Sequence, residues 1–152
     1  MIATRIAAAL LTATTLTATT GCSTERSAQA QEPAPTATAA TSESLKPLIK
    51  QPLPDVDGKT FTSAIVELPP NVRATPHRHG QAFVYAYVLD GTVRSQVDDQ
   101  PVTTYHQGDN WVEQPGAHHV LTENTSPTEP AKLLVVFVSN TGDALKVNDP
   151  TS

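Results

Sequence analysis

The chain has 152 residues, of which 16% are charged and 38% are hydrophobic, and its formal net charge is −5. This length predicts a single domain. An acidic chain without a block of basic residues is not expected to bind nucleic acid or an anionic membrane surface. A single Cys excludes an intrachain disulfide, so a hydrophobic core or a bound metal must hold the domain together.

The first 21 residues are typical of an export signal. Arg5 precedes an uncharged, moderately apolar run over residues 6–18, which is too short and too rich in Thr to span a bilayer permanently. Cys22 then resembles the acylated Cys of a bacterial lipobox, which would make the protein a lipoprotein of the cell envelope with its lipid as the only membrane contact. Cleavage at the small residues 28–30 would instead release a soluble secreted or periplasmic protein, and both alternatives remain open.

Residues 22–43 contain no large apolar side chain and cannot contribute to a core. They are expected to form a disordered tether. Most of the aromatic and aliphatic side chains follow in residues 44–148, so this range is predicted to be the folded domain.

Within the domain, short apolar or alternating segments are separated by turn residues about every ten positions. The predicted strands cover residues 60–68, 73–79, 82–89, 92–97, 102–106, 110–113, 118–123 and 131–139. Such spacing favours an all-β sandwich or barrel, and the absence of a long helical period predicts little helix. Asp90 and Gly91, between two of these segments, predict a two-residue hairpin turn.

Four of the five histidines fall into two tight groups, at positions 77 and 79 and at positions 118 and 119. Residues two apart on a strand face the same side, so His77 and His79 can enter one interior. Two imidazoles joined by a third from a neighbouring strand would suit a divalent first-row metal. Arg78 and His118 are expected to face away from that interior because of strand alternation.

The segments PPNVRATPHRHGQAFVYAYVLDG and GDNWVEQPGAHH resemble the two motifs of the cupin superfamily. The first motif is Gly, five residues, His-x-His, three or four residues, Glu, six residues and Gly; the second is Gly, five residues, Pro-x-Gly, two residues and His. The positions that keep these spacings are Asn71, His77, His79, Val84 and Gly91 in the first motif and Gly108, Gly116 and His119 in the second. The resemblance implies a single all-β cupin barrel, of the double-stranded β-helix or jelly-roll type, and often a homodimer.

By this resemblance His77, His79 and His119 would be metal ligands. Val84 occupies the position of the family's ligand Glu, and valine cannot coordinate a metal. Gln81 or Glu113 could supply the missing oxygen ligand, and Glu113 is also a candidate general acid or base.

We therefore expect an exported small cupin that binds Fe, Mn, Ni, Cu or Zn and acts on a small organic molecule, as a dioxygenase-like oxidoreductase, an isomerase or a lyase. The apolar lining implied by Val84, Ala86 and Val88 suits an organic ligand. The alternative is a non-catalytic module that binds a small ligand or metal at the cell envelope. Tyr85 and Tyr87 should face outward, where a second copy in a homodimer would cover them.

Overall fold

The computed structural model describes residues 41–150. The predicted signal over residues 1–21 and all but the last three residues of the predicted tether lie outside this range. The strands are β1 (Ser44–Pro52), β2 (Lys59–Leu68), β3 (His77–Arg78), β4 (Phe83–Asp90), β5 (Thr92–Val97), β6 (Thr103–His106), β7 (Asn110–Glu113), β8 (His118–Glu123), β9 (Ala131–Asn140) and β10 (Val147–Asn148). Residues 41–150 include no helix, so the all-β prediction is confirmed.

The strands form two antiparallel sheets of five strands each. The first sheet has the order β1-β2-β9-β4-β7, and the second has the order β10-β3-β8-β5-β6. Burial alternates strictly along β9, where every second side chain from Ala131 onward is buried. This alternation is expected for a strand with one face against the core and one face toward solvent.

The hydrophobic core draws on both sheets. Leu68, Leu133 and Phe137 come from the first sheet and Val93 comes from the second, and all four are almost fully buried in one cluster. Burying such side chains is the main favourable contribution to folding. The two sheets therefore share one core, and the inward side chains of both can meet there.

Two local predictions differ from the structure. Asp90 and Gly91 do not form a hairpin, because β4 and β5 belong to different sheets and the chain passes from one sheet to the other at this turn. Gly91 has a φ of 75°, and a Cβ there would lie 2.9 Å from the carbonyl oxygen of Pro130. The turn therefore requires glycine both for its backbone conformation and for the close approach of a neighbouring segment.

The predicted strand over residues 73–79 is regular only at its end. Arg73 makes a single bridge to Glu123, and continuous pairing begins at His77. Pro76 lacks a backbone N–H and so cannot donate a ladder hydrogen bond at this point.

Asn71 has a φ of 58°, which agrees with its place at the first glycine of the cupin motif. No helix within residues 41–150 could cross a membrane.

Candidate metal centre

A cavity of about 60 Å³ is lined by residues of both sheets. Its wall on the first sheet is apolar and includes Leu68, Ala86, Leu133, Val135 and Phe137. Its polar lining residues include three histidines on or next to the second sheet, together with Thr122, Glu113, Glu43 and Lys146. The predicted apolar lining is present at Ala86, whereas Val84 and Val88 are buried in the neighbouring core.

The structure brings the three predicted ligand histidines together in this cavity. His77 on β3 is the direct cross-strand partner of His119 on β8, and His79 follows immediately after β3. Their exposed fractions are only 6%, 8% and 4% for His77, His79 and His119. One nitrogen of each ring lies within 4.8 Å of the others, so the three residues could hold one metal ion.

Backbone carbonyls orient two of the rings. Nδ1 of His77 donates to the carbonyl of Thr75 at 2.7 Å, and Nδ1 of His79 donates to the carbonyl of Leu145. A carbonyl oxygen can only accept, so in each neutral ring Nδ1 carries the proton. Nε2 of both rings therefore has a free lone pair, as a metal ligand requires.

Burial keeps these two rings neutral. It lowers the pKa of His77 from 6.5 to about 3, although the hydrogen bond to the Thr75 carbonyl partly opposes the shift. Burial also lowers the pKa of His79, against an opposing attraction from Glu113. Both imidazoles are consequently neutral at pH 7, which is the protonation state that binds metals.

His119 is held by two hydroxyl groups and one carboxylate. Its Nε2 lies 2.8 Å from Oγ of Ser95 and 2.7 Å from Oγ1 of Thr122, and its Nδ1 lies 3.1 Å from Oε1 of Glu113. A hydroxyl can donate to or accept from an imidazole nitrogen. These contacts therefore accommodate either tautomer of His119 while fixing the plane of its ring.

Glu113 is a buried carboxylate that contacts two of the three rings, those of His79 and His119. Its side chain is 3% exposed, and its Oε1 accepts a hydrogen bond of 3.2 Å from Nε1 of Trp111. Oε2 lies 3.5 Å from Nε2 of His79 and is buried without a hydrogen-bond partner among residues 41–150. Burial alone would raise the pKa of Glu113, but the contact with His119, with smaller contributions from His79 and Trp111, outweighs it, so the pKa is lowered.

The other sequence candidates lie outside this group. Gln81 is exposed in the turn after β3 and is not among the residues that line the cavity. His118 faces away from His119 and bonds to the carboxylate of Asp149 at 2.7 Å. His106 and Arg78 are exposed, as strand alternation and turn position suggest.

Sequence reasoning missed the groups that orient the imidazoles. Ser95 lies on β5 and Thr122 on β8, and neither belongs to a recognisable motif. The carbonyls of Thr75 and Leu145 have no side-chain signal at all. Thr75 and Thr122 are two and three residues from the histidines that they contact, whereas the fold brings Ser95 and Leu145 to the site.

An ion pair lies at the more exposed side of the cavity. Nζ of Lys146, just before β10, contacts Oε1 of Glu43, just before β1. Both residues line the cavity, and both side chains are about one fifth exposed. This pair therefore joins the ends of the two sheets at the boundary between cavity and solvent.

Residues 64–137 match the Cupin_2 family, the cupin domain. The folded domain has the all-β cupin fold. A comparison with curated protein sequences gives no match. The donor set of this domain fits a divalent metal, because three buried imidazoles converge and a buried carboxylate oxygen beside them has no hydrogen-bond partner within residues 41–150.

Solved structures show the same fold. The DMSP lyase DddQ from Ruegeria pomeroyi is 19% identical, with a TM-score of 0.58 over 70% of this chain and 51% of the lyase. A cupin 2 domain-containing protein from Halorhodospira halophila is 19% identical, with a TM-score of 0.57 over 76% of each chain. An oxalate oxidase in complex with glycolate is 17% identical, with a TM-score of 0.57 over 73% of this chain and 57% of the oxidase. The chain spans about half the length of the lyase, and identities this low show the fold alone.

Proposed function

We propose that this protein is a small metal-dependent cupin enzyme that acts on a small organic substrate. The observation that carries the proposal is the convergence of His77, His79 and His119, all buried, in an apolar cavity. Oε2 of Glu113 beside these rings is buried without a hydrogen-bond partner within residues 41–150, and a bound cation would offset the cost of burying it. A divalent transition metal is the ligand that three neutral imidazoles suit best.

The surrounding residues define what such a site can do. A bound metal would supply Lewis-acid or redox chemistry, which covers dioxygenase, isomerase and lyase reactions. Phe137 and Leu133 line the cavity with apolar surface that limits the access of water. A volume of about 60 Å³ holds only a few water-sized groups, so a substrate must be small or must displace the Glu43–Lys146 pair to enter. Similar folds in a DMSP lyase and an oxalate oxidase are consistent with this range of reactions.

The first test is elemental analysis of the full chain, purified without a His tag. We expect close to one equivalent of Fe, Mn, Ni, Cu or Zn in the wild type and almost none in the double variant His77→Ala/His79→Ala. His118→Ala is the matched control, because His118 is adjacent in sequence but faces away from the site. Equal metal content in all three proteins, or none in the wild type after incubation with each ion, would refute the proposed centre.

Catalysis is tested separately on the metal-loaded protein. We expect conversion of at least one member of a panel of small oxygen-bearing organic molecules, with oxygen consumption followed in parallel, and loss of that conversion in His79→Ala.

A second candidate function is that of a non-catalytic binding module, and Val84 at the position of the family's ligand Glu favours it. In that case a panel member would raise the melting temperature of the protein without being converted.

We also propose, from the sequence, that the protein is exported and is either anchored through a lipid on Cys22 or released as a soluble protein. Mass spectrometry of the mature protein distinguishes the two. An acylated N-terminal Cys22 that is lost in Cys22→Ser indicates the lipoprotein, and a mature chain that begins after residue 30 indicates the soluble form.

A homodimer is proposed through the outer face of the first sheet. Phe83 and Val112 on this face are 37% and 47% exposed, and Tyr85, the cross-strand partner of Val112, is only half-buried. Apolar side chains grouped on an outer strand face are typical of surfaces that a partner covers. Light scattering should give the mass of a dimer for the wild type and of a monomer for Val112→Lys.

A further inference from the structure

The structure pairs Glu113 with the position where the cupin motif has its ligand carboxylate. Val84 on β4, which stands at the motif's Glu, is the direct cross-strand partner of Glu113 on β7. Direct partners in an antiparallel pair project from the same face of the sheet, with Cβ atoms about 5 Å apart. Both side chains are buried on the same face of the sheet, and Glu113 is the one that lines the cavity.

The contact between Glu113 and His79 brings two acceptors together. Nδ1 of His79 donates to a carbonyl, so Nε2 of the neutral ring presents a lone pair. Oε2 of Glu113 lies 3.5 Å from this nitrogen and has no hydrogen-bond partner within residues 41–150. Two acceptors that face each other at this distance are unfavourable, and a metal ion bound between them would satisfy both.

Oε1 of Glu113 adjoins a second candidate ligand. It lies 3.1 Å from Nδ1 of His119, whose other nitrogen is engaged by the hydroxyls of Ser95 and Thr122. In the tautomer of His119 that carries its proton on Nε2, this nitrogen donates to the hydroxyls, and Nδ1 has a lone pair for a metal. The indole of Trp111 donates to the same carboxylate oxygen and fixes its position. The carboxylate thus lies beside one nitrogen on each of two ligand histidines, Nε2 of His79 and Nδ1 of His119.

We propose that Glu113 is the fourth protein ligand of the metal, so that β7 supplies the carboxylate that β4 lacks. This inference rests on the proposed metal centre. It gives a donor set of three imidazoles and one carboxylate, which leaves a divalent ion with one positive charge. A carboxylate favours harder ions such as Mn(II), for which oxygen ligands are preferred. As a ligand, Glu113 is not a free general base, and the exposed Gln81 has no part in the site.

The test measures metal binding, independently of any turnover. Mn(II) is titrated into the metal-free full chain, and unbound Mn(II) is followed by its electron paramagnetic resonance signal. We expect Glu113→Gln to weaken Mn(II) binding by about 100-fold or more, because losing even a partner of a ligand costs about 10- to 100-fold. Gln has the same shape without the charge, and circular dichroism verifies that the variant is folded.

A transfer of the carboxylate sharpens this test. The double variant Val84→Glu/Glu113→Val places the carboxylate on the opposite strand, and it should recover most of the lost Mn(II) affinity. The visible absorption of Co(II)-loaded protein should change in Glu113→Gln, because a ligand of the metal has been replaced. The single variant Val84→Glu, which carries both carboxylates, is the control for the effect of the substitution itself.

Three outcomes would overturn the proposal. Unchanged Mn(II) affinity in Glu113→Gln would remove Glu113 from the site while leaving the three-histidine centre intact. A small loss of affinity with an unchanged Co(II) spectrum and no recovery in the double variant would show that Glu113 only orients His119. Absence of metal binding by the wild type itself would refute the proposed centre and this inference together.

Discussion

The two sheets of this domain contribute to the cavity in opposite ways. The first sheet provides an apolar wall with a single buried carboxylate, Glu113. The second sheet provides His77 and His119 together with the hydroxyls that hold His119. The first sheet therefore supplies most of the apolar core around the cavity, and the second supplies most of the candidate metal ligands. Substitutions in the two sheets should therefore affect different measurements.

The largest expected effect is a loss of stability from the first sheet. Leu133 is 2% exposed on β9, and Leu133→Ala should lower the free energy of unfolding by about 2–5 kcal/mol, through lost burial and the cavity left behind. Leu48→Ala is the matched control, because Leu48 is 56% exposed on β1 and its truncation should change stability by about 0.5 kcal/mol or less. Urea denaturation measures both.

The same pair of variants tests whether the first sheet affects stability without affecting metal binding. Metal affinity should be nearly unchanged in folded Leu133→Ala, since Leu133 makes none of the contacts that orient the histidines. A large fall in metal affinity would show that the apolar wall also positions the ligands.

A second effect belongs to the second sheet and depends on pH. The pKa of His77 is about 3 when folded and 6.5 when unfolded, so between these values the unfolded chain binds a proton that the folded chain does not. The metal-free protein should therefore lose about 1.4 kcal/mol of stability per pH unit from His77 as the pH falls below about 6.5. This amounts to about 2–3 kcal/mol at about pH 4.5.

The substitution His77→Gln should reduce this pH dependence, because Gln does not titrate and only the contribution of His79 remains from the two buried rings. Urea denaturation in the presence of a chelator, repeated between neutral pH and pH 4.5, gives the slope. His106→Gln is the control, since His106 is exposed and the slope should be retained. Equal slopes in the wild type and His77→Gln would assign the acid sensitivity to other groups.

Much of the fold could be predicted from local patterns. β9 alternates buried and half-buried residues along its whole length, and β5, β7 and β8 have the predicted bounds. β1 was not predicted as a strand, because it is an exposed edge strand that contains Pro47 and ends at Pro52, and it lacks the alternation of a half-buried strand. The turn at Gly91 was predicted to join a hairpin, since local turn chemistry does not decide which sheet the next strand enters.

The candidate site, like the fold, could be predicted from the sequence only in part. The convergence of His77 and His79 follows from their spacing, and the cupin resemblance added His119. The pairing of Val84 with Glu113 depends on the register between β4 and β7, which are separated in sequence by β5 and β6. Registers of this kind are decided by packing across the whole sheet. Sequence reasoning could therefore name Glu113 as a candidate but could not place it beside the histidines.

A smaller effect on metal affinity should distinguish the hydroxyl groups that hold His119 on the second sheet from a buried hydroxyl group on the first sheet. Ser95→Ala combined with Thr122→Val removes both groups that hold Nε2 of His119, and metal affinity should fall by about tenfold or more. Each single variant should lose less, because the other hydroxyl remains. Thr62→Val is the matched control, since Thr62 lies buried on the first sheet and its hydroxyl has no partner among residues 41–150. Its metal affinity should equal that of the wild type, and an equal loss in Thr62→Val would contradict a specific role for the hydroxyls.

The smallest effect concerns the ion pair between Glu43 and Lys146, which links the start of β1 in the first sheet to the start of β10 in the second. Both side chains are partly exposed, so the pair should contribute about 1 kcal/mol or less to the free energy of unfolding. A double-mutant cycle with Glu43→Gln and Lys146→Met, measured by urea denaturation, isolates this coupling. A value well above 1 kcal/mol would mean that the sheets depend on this contact as well as on their shared core. A value near zero, together with faster metal uptake by either single variant, would mean that the pair mainly restricts entry to the cavity.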